Sequence, residues 1–166
     1  MTKTDFYQKL KTGDFSRMVR ESIRGEQVGN SRELRNIITP LVAQEPDVEQ
    51  FWCLFLDTRN RIRGIEILAK GTINAAYVYP REVIKKILHH QAAAVILAHN
   101  HPSGDCNPSG EDLKLTLQIA LACKSIGVTI HEHIIVGDTG NWYSMADNGK
   151  MAGIVGRVQK MIDETT

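Results

Sequence analysis

The stretch that most narrows what this chain can fold into is Ala92 to Ala98, an unbroken apolar run ending at the polar sequence His99-Asn100-His101. It is far short of the roughly 20 apolar residues that cross a bilayer, and too short for an ordinary core helix, so it reads as a buried strand. Its neighbours have a different period. Pro80 opens a helix over Arg81 to His89 with Val83, Ile84, Ile87 and Leu88 at helical spacing. Leu113, Leu117, Ala120 and Leu121 mark one face of a second helix over Gly110 to Ile126, which Gly127 is placed to end, and Val128 to Val136 is the next strand. Strands and helices that interleave this way predict a layered α/β domain.

Upstream, Ser31 reads as the N-cap of a helix carrying Leu34, Ile37, Ile38 and Leu41, which stops near Pro40 or at Glu45-Pro46. Phe51 to Leu56, a turn over Asp57 to Asn60, and the alternating Ile62 to Leu68 predict an antiparallel hairpin. From Asp5 to about Arg24 the composition suits a helix with Phe6, Leu10, Phe15 and Val19 available to pack, weakened by Gly13. Near the C-terminus Met151, Ile154, Val155, Val158, Met161 and Ile162 fall near helical spacing, to pack on their own domain or on a second copy, as a homodimer. The expected organisation is a helical extension over residues 1–30, a domain over 31–150 and a helical tail over 151–166.

With 166 residues, 42% apolar and 23% charged, the chain is long enough for one sizeable core and matches an ordinary globular protein. A polar N-terminus without a signal-peptide core predicts a cytoplasmic location and no membrane partner. Cys53, Cys106 and Cys123 are an odd set without CxxC spacing, hence core or surface thiols rather than a disulfide framework or a cysteine zinc site. A formal net charge of +1 offers no global case for nucleic-acid binding. Residues 1–35 are mildly basic, eight Lys/Arg against five acids, which is ordinary for a solvated helix face.

His99 and His101 lie two apart at the end of the predicted strand, so extended geometry points both rings to one face. Asp112 falls in the first turn of the following helix, where its carboxylate can reach back. Two histidines and a carboxylate would leave a fourth position on a tetrahedral Zn²⁺ open for water, as in catalytic sites. A metal lowers the pKa of bound water toward about 7 and polarises a carbonyl, which suits hydrolysis of an amide or isopeptide bond. A second reading stands beside this one: Ser109-x-x-Asp112 is also a capping-box pattern that starts a helix without any metal.

The sequence His99-Asn100-His101-Pro102-Ser103-Gly104-Asp105, then Pro108-Ser109-x-x-Asp112, resembles the JAMM signature of the JAB/MPN metalloproteins. Phe55-Leu56-Asp57 with Asn60-Arg61, Gly71-Thr72, Pro80-Arg81-Glu82-Val83, His133-Ile134-Ile135-Val136-Gly137 and Ser144 are similar to its RadC-type branch, with Glu132 in place of the branch's Asp. The resemblance spans about Glu33 to Met151. It implies a three-layer, cytidine-deaminase-like α/β domain, with a mixed sheet flanked by helices, and one Zn²⁺ per chain on His99, His101 and Asp112. It also implies metallopeptidase or isopeptidase activity on a protein or peptide substrate. In the superfamily a glutamate that opens an apolar strand acts as general base; Glu49, just before Phe51, fits, with Glu66 and then Glu82 as competitors. Ser109 corresponds to the serine that stabilises the oxyanion.

His131 and His133 alternate on one predicted strand, and no carboxylate arrives at ligand spacing, so a packing or supporting role is expected for them. For His89 and His90, at a helix end, interaction with the helix dipole is explanation enough. RadC-like proteins also carry a DNA-repair label, and JAB/MPN domains include scaffolds, so a DNA-associated protein and a protein-interaction module are the alternative readings. The mild charge and the lack of an aromatic/basic stripe argue against the first, and retention of every matching ligand against the second. His-Asn-His is not the dispersed set of an HNH nuclease, and the His-x-Glu and Pro-Cys-x-x-Cys ligands of a zinc deaminase are missing.

Overall fold

The computed structural model describes residues 2, 4–5, 8, 12, 14–71 and 78–165. Phe6, Leu10, Gly13 and Thr72, and the side chain of Phe15, lie outside them. Among the described residues five strands form one mixed sheet: β1 (Gln50–Leu56), β2 (Ile62–Lys70), β3 (Ala94–Asn100), β4 (Thr129–Val136) and β5 (Trp142–Ser144), in the order β2-β1-β3-β4-β5. Every neighbouring pair is antiparallel except β3 and β4, which run parallel because a helix crosses over between them. Among the described residues the continuous helices are α1 (Asp14–Ser22), α2 (Ser31–Val42), α3 (Pro80–His90), α4 (Gly110–Ser125) and α5 (Lys150–Asp163).

Every residue of β1 and β3 is buried, as apolar runs demand of strands covered on both faces. Successive side chains divide between two cores. Phe51, Cys53, Phe55, Val95 and Leu97 face α3, α4 and α5 through Val83, Ile87, Leu115, Ile119, Met151 and Ile154. Trp52, Leu54, Leu56, Ile96 and Ala98 face α2 through Leu34, Ile38 and Leu41, with Ile23 and Val19 from the end of α1 and beyond it. The architecture is therefore the expected α/β one, with a helical layer on each face of a mixed sheet.

Local chemistry moves several boundaries. Asn30, not Ser31, caps α2: its side chain accepts a hydrogen bond from the Glu33 amide, and the helix passes through Pro40 to Val42. A proline this near the C-terminal end removes one hydrogen bond, while Leu41 and Val42 beyond it are buried. After α3, Gln91 takes a left-handed conformation and the Ala92 amide bonds back to the Ile87 carbonyl, so the first alanines of the run close the helix. The strand starts at Ala94 and runs to Asn100, which places His99 inside the sheet. Tail residues Met151, Ile154 and Val158 are buried in the same core as α3 and α4.

Candidate metal centre

His99 ends on the α4 face of β3, packed in parallel against Phe51 of β1 at 5.6 Å between ring centroids. His101 lies just past the strand, where its amide donates to the Val136 carbonyl and holds it against β4. Across the turn, α4 starts with both halves of a capping box: Ser109 Oγ accepts from the Asp112 amide at 3.1 Å, and Asp112 Oδ2 accepts from the Ser109 amide at 2.8 Å. The cap aims the Asp112 side chain back at the strand end. The capping and ligand readings of Ser109-x-x-Asp112 are thus compatible.

His99 Nε2 and His101 Nε2 are 2.8 Å apart, and they lie 3.2 and 3.3 Å from Asp112 Oδ1 and Oδ2 respectively. Ligands about 2.0–2.1 Å from a tetrahedral zinc stand about 3.3–3.4 Å from one another, close to the two His–Asp separations and about 0.5 Å longer than the His–His one. Buried His99 and Asp112 and half-buried His101 form a group that could hold a metal ion. The rings are also turned correctly for it. His101 Nδ1 lies 2.6 Å from the Asp105 carbonyl, which can only accept, so Nδ1 carries a proton and the neutral ring presents its Nε2 lone pair.

Electrostatics favour a cation at this point. Burial opposes ionisation of Asp112, but when His101 and His99 carry a proton at Nε2 their hydrogen bonds outweigh it and hold the carboxyl well below the usual carboxylate range, and a metal ion would take the place of those protons. Asp112 in turn raises His101 above its ordinary value against the effect of burial, with the Asp105 carbonyl and the charge of Glu49 adding to it.

Glu49 is half-buried immediately before β1. The antiparallel register that pairs Phe51 with His99, carried two residues further, sets it beside His101. Its competitors are engaged elsewhere. Glu66 binds Lys86 and His90, the latter at 2.6 Å, and Glu82 pairs with Lys85 and Arg81 on the outer face of α3. His90 therefore does more than meet a helix dipole, since it also stacks on Phe55.

Regular strand alternation would set His131 and His133 on one face. A register shift in β4, where Val95 pairs with Ile130 but Ile96 with Glu132, separates them. His131 is exposed and bonds Asn60, whereas His133 is fully buried with its Nε2 2.7 Å from His99 Nδ1. Thr116 Oγ1 lies 2.7 Å from His133 Nδ1 and donates to the Asp112 carbonyl at 2.6 Å. Glu132 turns to the other side of β4, where it accepts from Ser144 and from the amides of His133 and Ala146. Thr116 carried no signal in the sequence, because its role is defined only by partners brought in by the fold.

A family model described as the RadC-like JAB domain matches residues 28–150. A "UPF0758 protein" of Pseudomonas syringae pv. tomato is 45% identical over 136 residues, 81% of this chain and 60% of the relative. Another from Pseudomonas fluorescens is 46% identical over 134 residues, 80% of this chain and 59% of the relative. One from Alcanivorax borkumensis is 43% identical over 126 residues, 76% and 55% of the two chains. The chain thus spans between 55% and 60% of the length of these curated relatives. With the family model covering His99 to Asp112 and both core faces of the sheet, the chain belongs to the RadC-like JAB domain family.

Proposed function

We propose that this protein is a zinc-dependent hydrolase, a metallopeptidase or isopeptidase acting on a protein or peptide. The observation that carries the reading is the convergence of His99 Nε2, His101 Nε2 and the Asp112 carboxylate at the mouth of β3, with Nδ1 of each ring occupied by a hydrogen-bond partner. Zinc held by these three residues would act as a Lewis acid and bring the pKa of water toward about 7. Glu49, on the rim beside His101, is the general base that takes the water proton and returns it to the leaving amine. Ser109 uses its oxygen lone pair to accept from the Asp112 amide, so its one hydroxyl proton is available to the developing oxyanion. Such a donor contributes roughly 10²-fold in rate or more.

Elemental analysis of the metal-loaded protein beside His99→Ala and Asp112→Ala, with folding followed by circular dichroism, tests the centre. About one zinc per chain in the wild type and loss of it in both folded variants is expected. Glu49→Gln should keep its zinc while losing activity in a peptide-library screen. Metal bound equally by the wild type and by both His99→Ala and Asp112→Ala would overturn the assignment.

A further inference from the structure

We propose that Thr116 and His133 are positioning residues whose hydrogen bonds fix His99 in the form that turns its Nε2 lone pair toward the centre. The inference deepens the metal-centre reading, on which its zinc measurements rest.

The direction of the chain follows from its far end. The Asp112 carbonyl has no proton to give, so the contact at 2.6 Å requires the Thr116 hydroxyl proton, a common bond from a helical threonine to the carbonyl four residues back. With that proton committed, Thr116 Oγ1 faces His133 as an acceptor, and the 2.7 Å contact places a proton on His133 Nδ1. His133 is fully buried and its two ring nitrogens face only a hydroxyl and another imidazole, so with the proton on Nδ1 its Nε2 accepts. The donor at 2.7 Å is then His99 Nδ1–H, which leaves His99 Nε2 without a proton and aimed at His101 and Asp112.

Phe51 keeps both rings from turning out of this line, stacked on His99 and edge-on to His133 at 5.4 Å. The chain also closes on itself: it starts at one residue of the centre and ends on the backbone of another. Were Thr116 to donate to His133 instead, each proton would shift to the opposite ring nitrogen and His99 would present N–H to the centre. The helical carbonyl at Asp112 therefore biases the ring three contacts away. Supporting partners of this kind change metal affinity by about 10–100-fold.

Imidazole ¹⁵N NMR of the full chain, before and after zinc, is combined with zinc titrations against a chromophoric chelator for wild type, Thr116→Val and Thr116→Ser. The expected result is protonation of His133 and His99 at Nδ1 in the wild type. Zinc affinity should fall about 10–100-fold in folded Thr116→Val and recover in Thr116→Ser, which restores the hydroxyl. A proton on His133 Nε2, unchanged affinity in folded Thr116→Val, or equal weakening in both variants would overturn the proposal. Wild-type protein that takes no zinc while His133 keeps its proton on Nδ1 would defeat the metal reading and uphold the chain.

Discussion

Asn100 lies between the two histidines in sequence, but strand alternation sends its side chain the opposite way, toward the approach to β1. There its Nδ2 donates to the Val48 carbonyl at 3.0 Å and its Oδ1 accepts from the Gln50 amide at 2.7 Å. The Gly71 amide holds the Glu49 carbonyl at 2.9 Å, so the main chain is fastened on both sides of Glu49 and at Glu49 itself. Asn100→Ala should cost about 1–3 kcal/mol, because it strips partners from main-chain groups in a largely buried setting. On the proposed zinc reading, zinc content should stay at the wild-type level, since none of His99, His101 and Asp112 is touched. Urea denaturation with elemental analysis checks both; loss of zinc at unchanged stability would contradict the role. Nothing in His-Asn-His identifies Asn100 as a clamp, since its partners are 50 and 52 positions away.

The elements are also joined by side-chain contacts of shorter range, 20 and 24 positions apart in sequence. Glu66 on β2 binds Lys86 and His90 on α3, fastening that helix to the outer strand of the sheet. Burial pushes the Glu66 carboxyl up, but the hydrogen bonds from Lys86 and His90 outweigh it and bring it below its ordinary value. A carboxyl depressed in the folded state adds stability above its unfolded pKa, near about 4.3, and that contribution is lost as pH falls through the folded value. Glu66→Gln should therefore lower stability by about 1 kcal/mol at neutral pH, a small figure because Lys86 is partly exposed. The gap to wild type should close below about pH 4 in thermal melts across the pH range. A gap that widens in acid would reverse the assignment. At this scale periodicity located the elements well and their joints less well: α2 runs past Pro40, and the register shift in β4 turns His133 inward while leaving His131 exposed.

Across the whole molecule, α5 belongs to the core that supports the centre. Met151, Ile154 and Val158 are 4%, 6% and 3% exposed and share one cluster with Leu115 and Ile119 of α4, the helix that carries Asp112 and Thr116. Ile154→Ala should cost about 2–4 kcal/mol, read from denaturant midpoints, whereas a loosely attached tail would leave them unmoved. Among the described residues no helix is long and apolar enough to cross a membrane. By itself the sequence determined the alternation of strands and helices, the apolar strand that delivers His99, and the cap that starts α4 at Ser109. These are local properties of period, length and hydrogen-bonding capacity, and they survive reading one segment at a time. The motif also named His99, His101 and Asp112, which the fold brings together in a group that could hold a metal ion. Only the tertiary structure decided that Glu49 rather than Glu66 stands beside His101, that Asn100 holds the chain around it, and that His133 and Thr116 back His99. Those outcomes depend on which strands pair and in what register, a nonlocal choice settled by burying both faces of β1 and β3 together.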